Sequence, residues 1–131
     1  MPYHEKKITV ATDDLDELAH VNNVRYLQWI QDISKEHWQM LVSTEDQKDM
    51  VWVVMRHEID YKNAAVINDE LCVKTHIASS RGATSVRVVE IVNSKTNATI
   101  VLARTKWCLL NSVTFKPKRI PENIIAIFSV D

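Results

Sequence analysis

A long amphipathic segment of the chain is preceded directly by the residues Asp13-Asp14-Leu15-Asp16-Glu17-Leu18-Ala19-His20-Val21-Asn22-Asn23-Val24-Arg25-Tyr26. Four acids, one histidine and two asparagines are therefore crowded at the place where a helix is about to begin. The helix dipole favours acids there, and Asn22 or Asn23 can cap the first turn. The dipole disfavours a cationic histidine, so a neutral His20 that acts as a hydrogen-bond donor or a base fits best. This concentration of polar groups marks the candidate functional site.

The amphipathic segment itself, residues 23–42, predicts one long helix with an unusually broad apolar face. At about 100° per residue, half of its circumference is apolar, and this half carries Tyr26, Leu27, Trp29, Ile30, Ile33, His37, Trp38, Met40 and Leu41. Such a face is broader than a helix lying on a flat surface can bury. We therefore expect a helix that is half enclosed by a curved sheet.

Apolar residues that alternate with polar ones predict β-strands on both sides of this helix. One short strand is expected before it and four longer strands after it, over residues 7–11, 51–61, 71–79, 84–93 and 100–111. Short connections favour antiparallel neighbours arranged as a meander. One face of the strand 51–61 is expected to carry Val51, Val53, Met55, Ile59 and Tyr61.

This order of elements predicts an α+β fold in which a curved antiparallel sheet of about five strands wraps one long central helix. The 131 residues have the size of one domain, which we assign to residues 1–131. A short helix or turn is expected near the C-terminus. The exposed edges of such a sheet favour pairing between two copies. We therefore expect a homodimer, or a homotetramer built as a dimer of dimers.

The composition argues against several classes of protein. The formal net charge of −1 gives no basic surface for nucleic acid and no polybasic patch for a membrane. No apolar run approaches the roughly 20 residues of a membrane span, and the N-terminus lacks a signal-peptide core, so a cytoplasmic protein is expected. Cys72 and Cys108 lie among apolar residues and predict buried thiols. No metal site and no cofactor are expected.

The pattern D-x-D-x-x-x-H-V-N-N-x-x-Y, from Asp14 to Tyr26, resembles the motif of the hotdog-fold thioesterases. These include the 4-hydroxybenzoyl-CoA thioesterase group and the acyl-acyl-carrier-protein (acyl-ACP) thioesterases of plants and bacteria. The agreement continues to Trp29, and weaker matches extend over the rest of the chain at residues 59–61, 68–71 and 119–121. The resemblance implies a hotdog fold and an enzyme that hydrolyses an acyl thioester.

The resemblance also implies catalytic roles for two residues. Asp16 would act as nucleophile, or as general base for a water molecule, at the thioester carbonyl. His20 would assist as acid or base, or would orient the water. The active site would lie between two protomers, and the acyl chain would enter a slot beside the central helix.

Substrate contacts are expected at the helix head and in one turn. Val21 and Asn23 belong to residues 21–24, whose backbone N–H groups are ready donors for a developing oxyanion. Tyr26 lies on the apolar face, where core packing is the first expectation and a lining role in the acyl slot the second. Two interpretations of Arg81, which follows Ser80 in a predicted turn, stay open: a ligand for a phosphate of coenzyme A, and a solvated arginine.

The chain departs from the family pattern at three places. Leu18 stands where plant-type enzymes usually carry Asn, and Ala19 where many bacterial relatives carry Gly. Ala64 and Ala65 take the place of an additional acid or cysteine found in the plant enzymes. The first hypothesis is therefore an acyl-CoA thioesterase. The alternatives are an acyl-ACP thioesterase and a non-catalytic protein of the same fold that binds acyl-CoA or an acyl-carrier protein.

Overall fold

A computed structural model describes residues 2–130 of the protein. Its elements are β1 (His4–Thr9), a 3-10 turn (Thr12–Asp14), α1 (Asn23–Leu41), α2 (Thr44–Gln47), β2 (Met50–Tyr61), β3 (Glu70–Arg81), β4 (Thr84–Asn93), β5 (Thr99–Asn111) and α3 (Glu122–Phe128). The predicted central helix and the four later strands are confirmed to within two residues at each end. The first strand begins earlier than predicted, since its pairing with β3 starts at His4. It also ends earlier, because Val10 leaves the strand ladder and donates its N–H to the Asp69 carbonyl.

All five strands form one antiparallel sheet in the order β1-β3-β4-β5-β2. The strands β3, β4 and β5 are a meander, as predicted. The predicted meander is wrong for β2, which pairs with β5 and not with β3. The connection 62–69 causes this arrangement, because it begins beside β5, where Lys62 N–H bonds to Ile100, and ends beside β1, where Asp69 accepts from Val10. The connection thus crosses one end of the sheet.

A β-bulge in β2 reverses the direction of its side chains halfway along the strand. The register with β5 shifts at Met55, which is the extra residue. The prediction that Val53 and Met55 share a face with Ile59 is therefore wrong. Val53 and Met55 are 37% and 58% exposed, whereas Ile59 packs against the core. Before the bulge it is Trp52 that packs inward.

Helix α1 packs against β1 and β3 and begins at the predicted cap. The Asn22 side chain accepts a hydrogen bond from Val24 N–H at 2.9 Å. The buried face is narrower than predicted, since Met40 is 60% exposed and Leu27 only half-buried. The buried residues of this face are Tyr26, Trp29, Ile30, Ile33, Ser34 and His37.

A second apolar cluster closes the C-terminal end of α1. The C-terminal helix α3, which the sequence predicts as a short helix or turn, contributes Ile124 and Phe128 to it, and these pack with Val42 and Leu109. The ring of Phe128 also stacks on Trp38, with the centroids 5.8 Å apart. Both cysteines are free and buried, as predicted. Within residues 2–130, no helix combines the length and the apolar character that a membrane span requires.

Candidate active site

The residues before α1 form a compact loop that folds back on itself. Leu15 and Val21 form an isolated β-bridge, and between them the Asp16 N–H donates to the His20 carbonyl at 2.8 Å. Ala19 closes the loop by donating its N–H to the Asp16 carbonyl at 3.1 Å. It does so with φ of +60°, a conformation that glycine adopts freely and that costs a residue with a Cβ about 1 kcal/mol.

This loop holds the Asp16 carboxylate through one of its two oxygens. Oδ1 accepts hydrogen bonds from the backbone N–H groups of Leu18, at 2.9 Å, and His20, at 3.2 Å. Oδ2 has no partner within residues 2–130, and the side chain is half-buried. A carboxylate fixed in this way keeps one oxygen available to a ligand, as a nucleophile or general base must.

The backbone amides at the helix head are mostly engaged. Val21 N–H donates to the Ala65 carbonyl and Asn22 N–H to a carbonyl of the preceding 3-10 turn, each at 2.9 Å. Val24 N–H is taken by the Asn22 cap. In the described part of the chain, Asn23 N–H is the remaining one of these four amides without an acceptor. Of the four backbone amides predicted as oxyanion donors, the one that remains available is therefore that of Asn23.

An ion pair fixes the start of the loop to the helix. Arg25 Nε lies 3.1 Å from Oδ1 of Asp14, and Arg25 Nη2 donates to the Asp13 carbonyl at 3.2 Å. The other oxygen of Asp14 accepts from Ala11 N–H at 2.8 Å. Both oxygens of the Asp14 carboxylate are thus occupied by contacts that hold the loop, whereas only one oxygen of the Asp16 carboxylate is occupied in this way.

Tyr26 connects the loop to the 62–69 connection from inside the core. It is 2% exposed, and its hydroxyl accepts a hydrogen bond from Ala65 N–H at 3.1 Å. Burial is the main reason why the pKa of Tyr26 is raised, and the charges of Asp69 and Asp16 act in the same direction. The first expectation for Tyr26, core packing, is thus what the structure shows.

His20 lies at the exposed rim of the loop. Its backbone bonds to Asp16 twice, once through its N–H and once through its carbonyl. Its ring is exposed and has no hydrogen-bond partner within residues 2–130. The fold therefore brings Asp16 and His20 together and leaves the imidazole exposed, as a candidate acid or base requires.

The fold does not bring Ser80 and Arg81 to this loop within one chain. They end β3 and lead into a two-residue turn in which Gly82 has φ of +60°. The loop packs beside Ala65, close to the opposite end of β3. Ten residues of strand, about 33 Å, separate Leu71 at that end from Arg81.

Two cavities of the protomer also lie away from Asp16. One of about 650 Å³ lies between α1 and the strands β2 to β5, and another of about 560 Å³ lies beside Tyr3 and His76. Neither is lined by Asp16 or His20. Within a single chain the catalytic candidates thus lie outside these two cavities.

Arg87 was not among the residues singled out from the sequence. It is 4% exposed, and its Nη1 donates to Nδ1 of His37 at 2.9 Å and to Oγ1 of Thr75 at 3.1 Å. Burial lowers its pKa to about 10. The sequence signal that could have indicated Arg87 is the alternation along β4, where it shares the buried face with Ser85, Val89 and Ile91. Arg87 is the charged residue among them.

Comparison with known proteins places these features in a family. A model of the acyl-ACP thioesterase N-terminal domain matches residues 2–128. The chain belongs to this family. The predicted resemblance to hotdog-fold thioesterases is thereby confirmed. A comparison with curated protein sequences gave no match.

Solved structures of thioesterases have the same fold. A probable thioesterase from Bartonella henselae is 25% identical, with a TM-score of 0.76 over 91% of this chain and 98% of that chain. Slr0204, a 1,4-dihydroxy-2-naphthoyl-CoA thioesterase from Synechocystis, is 16% identical, with a TM-score of 0.84 over 96% and 95%. The 12:0-ACP thioesterase from Umbellularia californica is 15% identical, with a TM-score of 0.86 over 99% of this chain but 51% of that chain. Family and neighbours together support thioester hydrolysis as the reaction class.

Proposed function

We propose that the protein hydrolyses an acyl-CoA to a free acid and coenzyme A, with Asp16 as nucleophile or general base. The observation that carries the proposal is the loop before α1, in which the Asp16 carboxylate is anchored by one oxygen and free at the other. Membership in a thioesterase family supports the reaction class. The proposed reaction uses water and side chains and needs no cofactor.

The proposed chemistry has two routes from the same carboxylate. As a base, Oδ2 of Asp16 takes a proton from a water molecule whose oxygen forms a bond to the thioester carbonyl carbon. As a nucleophile, Oδ2 forms that bond itself, and water later hydrolyses the resulting anhydride. In both routes the C–S bond breaks and the sulfur takes up a proton to leave as the free thiol. Because thiolate is a good leaving group, a placed carboxylate and an oxyanion donor suffice.

Two neighbours support this step. The free N–H of Asn23 is the donor proposed for the developing oxyanion, and losing one donor of this kind typically costs about 3 to 4 kcal/mol of barrier. The exposed imidazole of His20 is the group proposed to deliver the proton to the leaving thiolate. Val21 contributes by position, because its N–H ties the loop to Ala65.

We further propose a homodimer that forms along β2. This edge strand is 12 residues long, and its other side has no partner strand among the described residues. It exposes Val53, Met55 and Tyr61, and it also carries charged residues at positions 56, 58 and 60. The opposite edge, β1, is half as long and carries charged residues at positions 5–7. A long edge strand with exposed apolar side chains favours pairing more than a short one does. Since Arg81 and Asp16 are far apart in one chain, they can serve one site only where two copies meet.

Three observations bear on the substrate. The family model favours an acyl-ACP thioester, which we keep as the second candidate. Ala64 and Ala65 favour acyl-CoA, because the additional acid or cysteine of the plant acyl-ACP enzymes is absent from their place. Slr0204, a thioesterase for a CoA substrate, shares the fold over nearly its whole chain.

A panel assay separates these functions. The purified protein is incubated with short, long and aromatic acyl-CoAs and with an acyl-ACP, and free thiol is measured. We expect turnover of at least one acyl-CoA. Faster release from acyl-ACP would favour the second candidate, and tight acyl-CoA binding without thiol release would favour a binding protein. Arg81→Ala should raise KM for acyl-CoA but not for an acyl N-acetylcysteamine thioester, which lacks the phosphates.

A further inference from the structure

The cavity of about 650 Å³ is lined by aromatic, aliphatic, polar and charged side chains. It lies between the C-terminal half of α1 and the sheet, and three tryptophans form much of its wall: Trp38, Trp52 and Trp107. Its charged lining residues are Arg87 and Lys35, and no acid lines it. The cavity therefore combines aromatic walls with an uncompensated positive charge.

Arg87 is the deepest of these charges. Only 4% of its surface is exposed, and burial lowers its pKa to about 10, so it remains protonated at neutral pH. It donates to two neutral acceptors, the Nδ1 atom of His37 and the hydroxyl of Thr75, and its guanidinium carbon lies 5.9 Å from the centroid of the Phe128 ring. No carboxylate within residues 2–130 pairs with it. A buried cation without a counter-anion is costly, and an anionic ligand would remove that cost.

Two unpaired donors lie on the same cavity. The indole N–H groups of Trp52 and Trp107 are buried and have no acceptor in the described part of the chain. Buried N–H groups in proteins are almost always paired, so two orphans beside one cavity point to an acceptor that occupies it. Together with Arg87, whose described acceptors are both neutral, they form a set of donors on the cavity that lacks an anionic acceptor within residues 2–130.

We propose that this cavity binds the carboxylate of a flexible, apolar acid, with Arg87, Trp52 and Trp107 as its donors. Resting on the proposed function, the carboxylate belongs either to the far end of a dicarboxylic acyl thioester or to the fatty acid that hydrolysis releases. In the first case the acyl chain must be long and extended, because it has to reach from the helix head to the cavity. Gln31, the first residue of α1 on the cavity, lies about 12 Å along the helix axis from Asn23.

Ligand binding tests the cavity without any hydrolysis. Decanoate and its neutral amide, decanamide, are titrated into the full chain while tryptophan fluorescence is recorded, since three of the four tryptophans line the cavity. We expect decanoate to bind about ten- to a hundredfold more tightly, the range that a charge-assisted hydrogen bond supplies. Equal affinities, or no binding of either compound, would overturn the proposal.

Substitutions test whether the preference for decanoate over decanamide depends on Arg87, Trp52 and Trp107. Arg87→Met should abolish the preference for decanoate. Trp52→Phe and Trp107→Phe should each weaken decanoate binding about three- to tenfold, because each removes one proposed donor to the carboxylate. Trp38→Phe is the matched control, since its nitrogen is not one of the two orphans. If Arg87→Met does not fold, the two Trp→Phe variants still decide. Unaltered decanoate affinity in both would contradict the proposal.

Thioester substrates distinguish the two sources of the carboxylate. A distal carboxylate predicts a KM for dodecanedioyl-CoA about tenfold or more below that for dodecanoyl-CoA, and Arg87→Met should remove the difference. A released acid predicts equal KM values and inhibition by decanoate that depends on Arg87. A protein that binds decanoate selectively but releases no thiol would refute the proposed function alone. One that releases thiol without selective binding would refute this inference alone.

Discussion

Replacing Tyr26 by Phe tests the contact that fastens the candidate active site to the core. The substitution removes one hydroxyl and leaves the ring, so packing is conserved. The Ala65 N–H, in a residue that is 0% exposed, then loses its acceptor. An unsatisfied buried N–H costs about 1 to 3 kcal/mol. For a chain of this size, that corresponds to a fall in Tm of about 4 to 12 °C.

Thermal unfolding followed by circular dichroism measures this fall. Tyr3→Phe is the matched control, because Tyr3 is 61% exposed and its hydroxyl has no partner in the described residues. Such a surface change is usually worth less than about 0.5 kcal/mol. The same segment accepts the Val21 N–H at its Ala65 carbonyl, so thiol release should also slow in Tyr26→Phe. Equal Tm values for Tyr26→Phe and the wild type would refute the reasoning.

Further predictions concern the loop, pH and assembly. Ala19→Gly should raise the free energy of unfolding by about 0.5 to 1 kcal/mol in urea titrations, because φ of +60° costs glycine nothing; a loss of stability would contradict the left-handed conformation. Burial holds the pKa values of His57 and His76 below 6.5, so the unfolded chain binds protons first as the pH falls. Stability should therefore decrease as the pH drops through 6.5, and less so in the His57→Gln/His76→Gln double variant. Met55→Lys should weaken the proposed dimer in sedimentation velocity, and an unchanged sedimentation coefficient would exclude the β2 edge.

Local periodicity was sufficient for most of the fold. The broad apolar face of α1 and the alternation of the strands predicted the helix and the number of strands, and of the two predicted caps, Asn22 and Asn23, the structure uses Asn22. The β2–β5 pairing could not be read in this way, because it depends on where the connection 62–69 crosses the sheet. The prediction of which β2 side chains face the core was wrong for a related reason. One extra residue, Met55, moves every earlier side chain of the strand to the other face of the sheet.

The candidate site was predictable only where residues are close in sequence. Asp16 and His20 share one loop, so their spacing alone brought them together. The selection of Asn23 among the four amides required the partners of its neighbours, which include the distant Ala65. The contacts of Arg87 with His37 and Thr75 join residues from β4, α1 and β3, and no spacing in the sequence predicts them.

The most direct measurement compares kcat for thiol release between the wild type, Asp16→Asn and Asp13→Asn. Asparagine keeps an oxygen to accept from Leu18 and His20, so the loop survives while the charge and the basic oxygen are lost. Asp13, an exposed acid of the same segment, is the control. We predict that Asp16→Asn lowers kcat by about 100-fold or more and that Asp13→Asn leaves it unchanged. Full turnover by Asp16→Asn on every active substrate would contradict a catalytic role for Asp16.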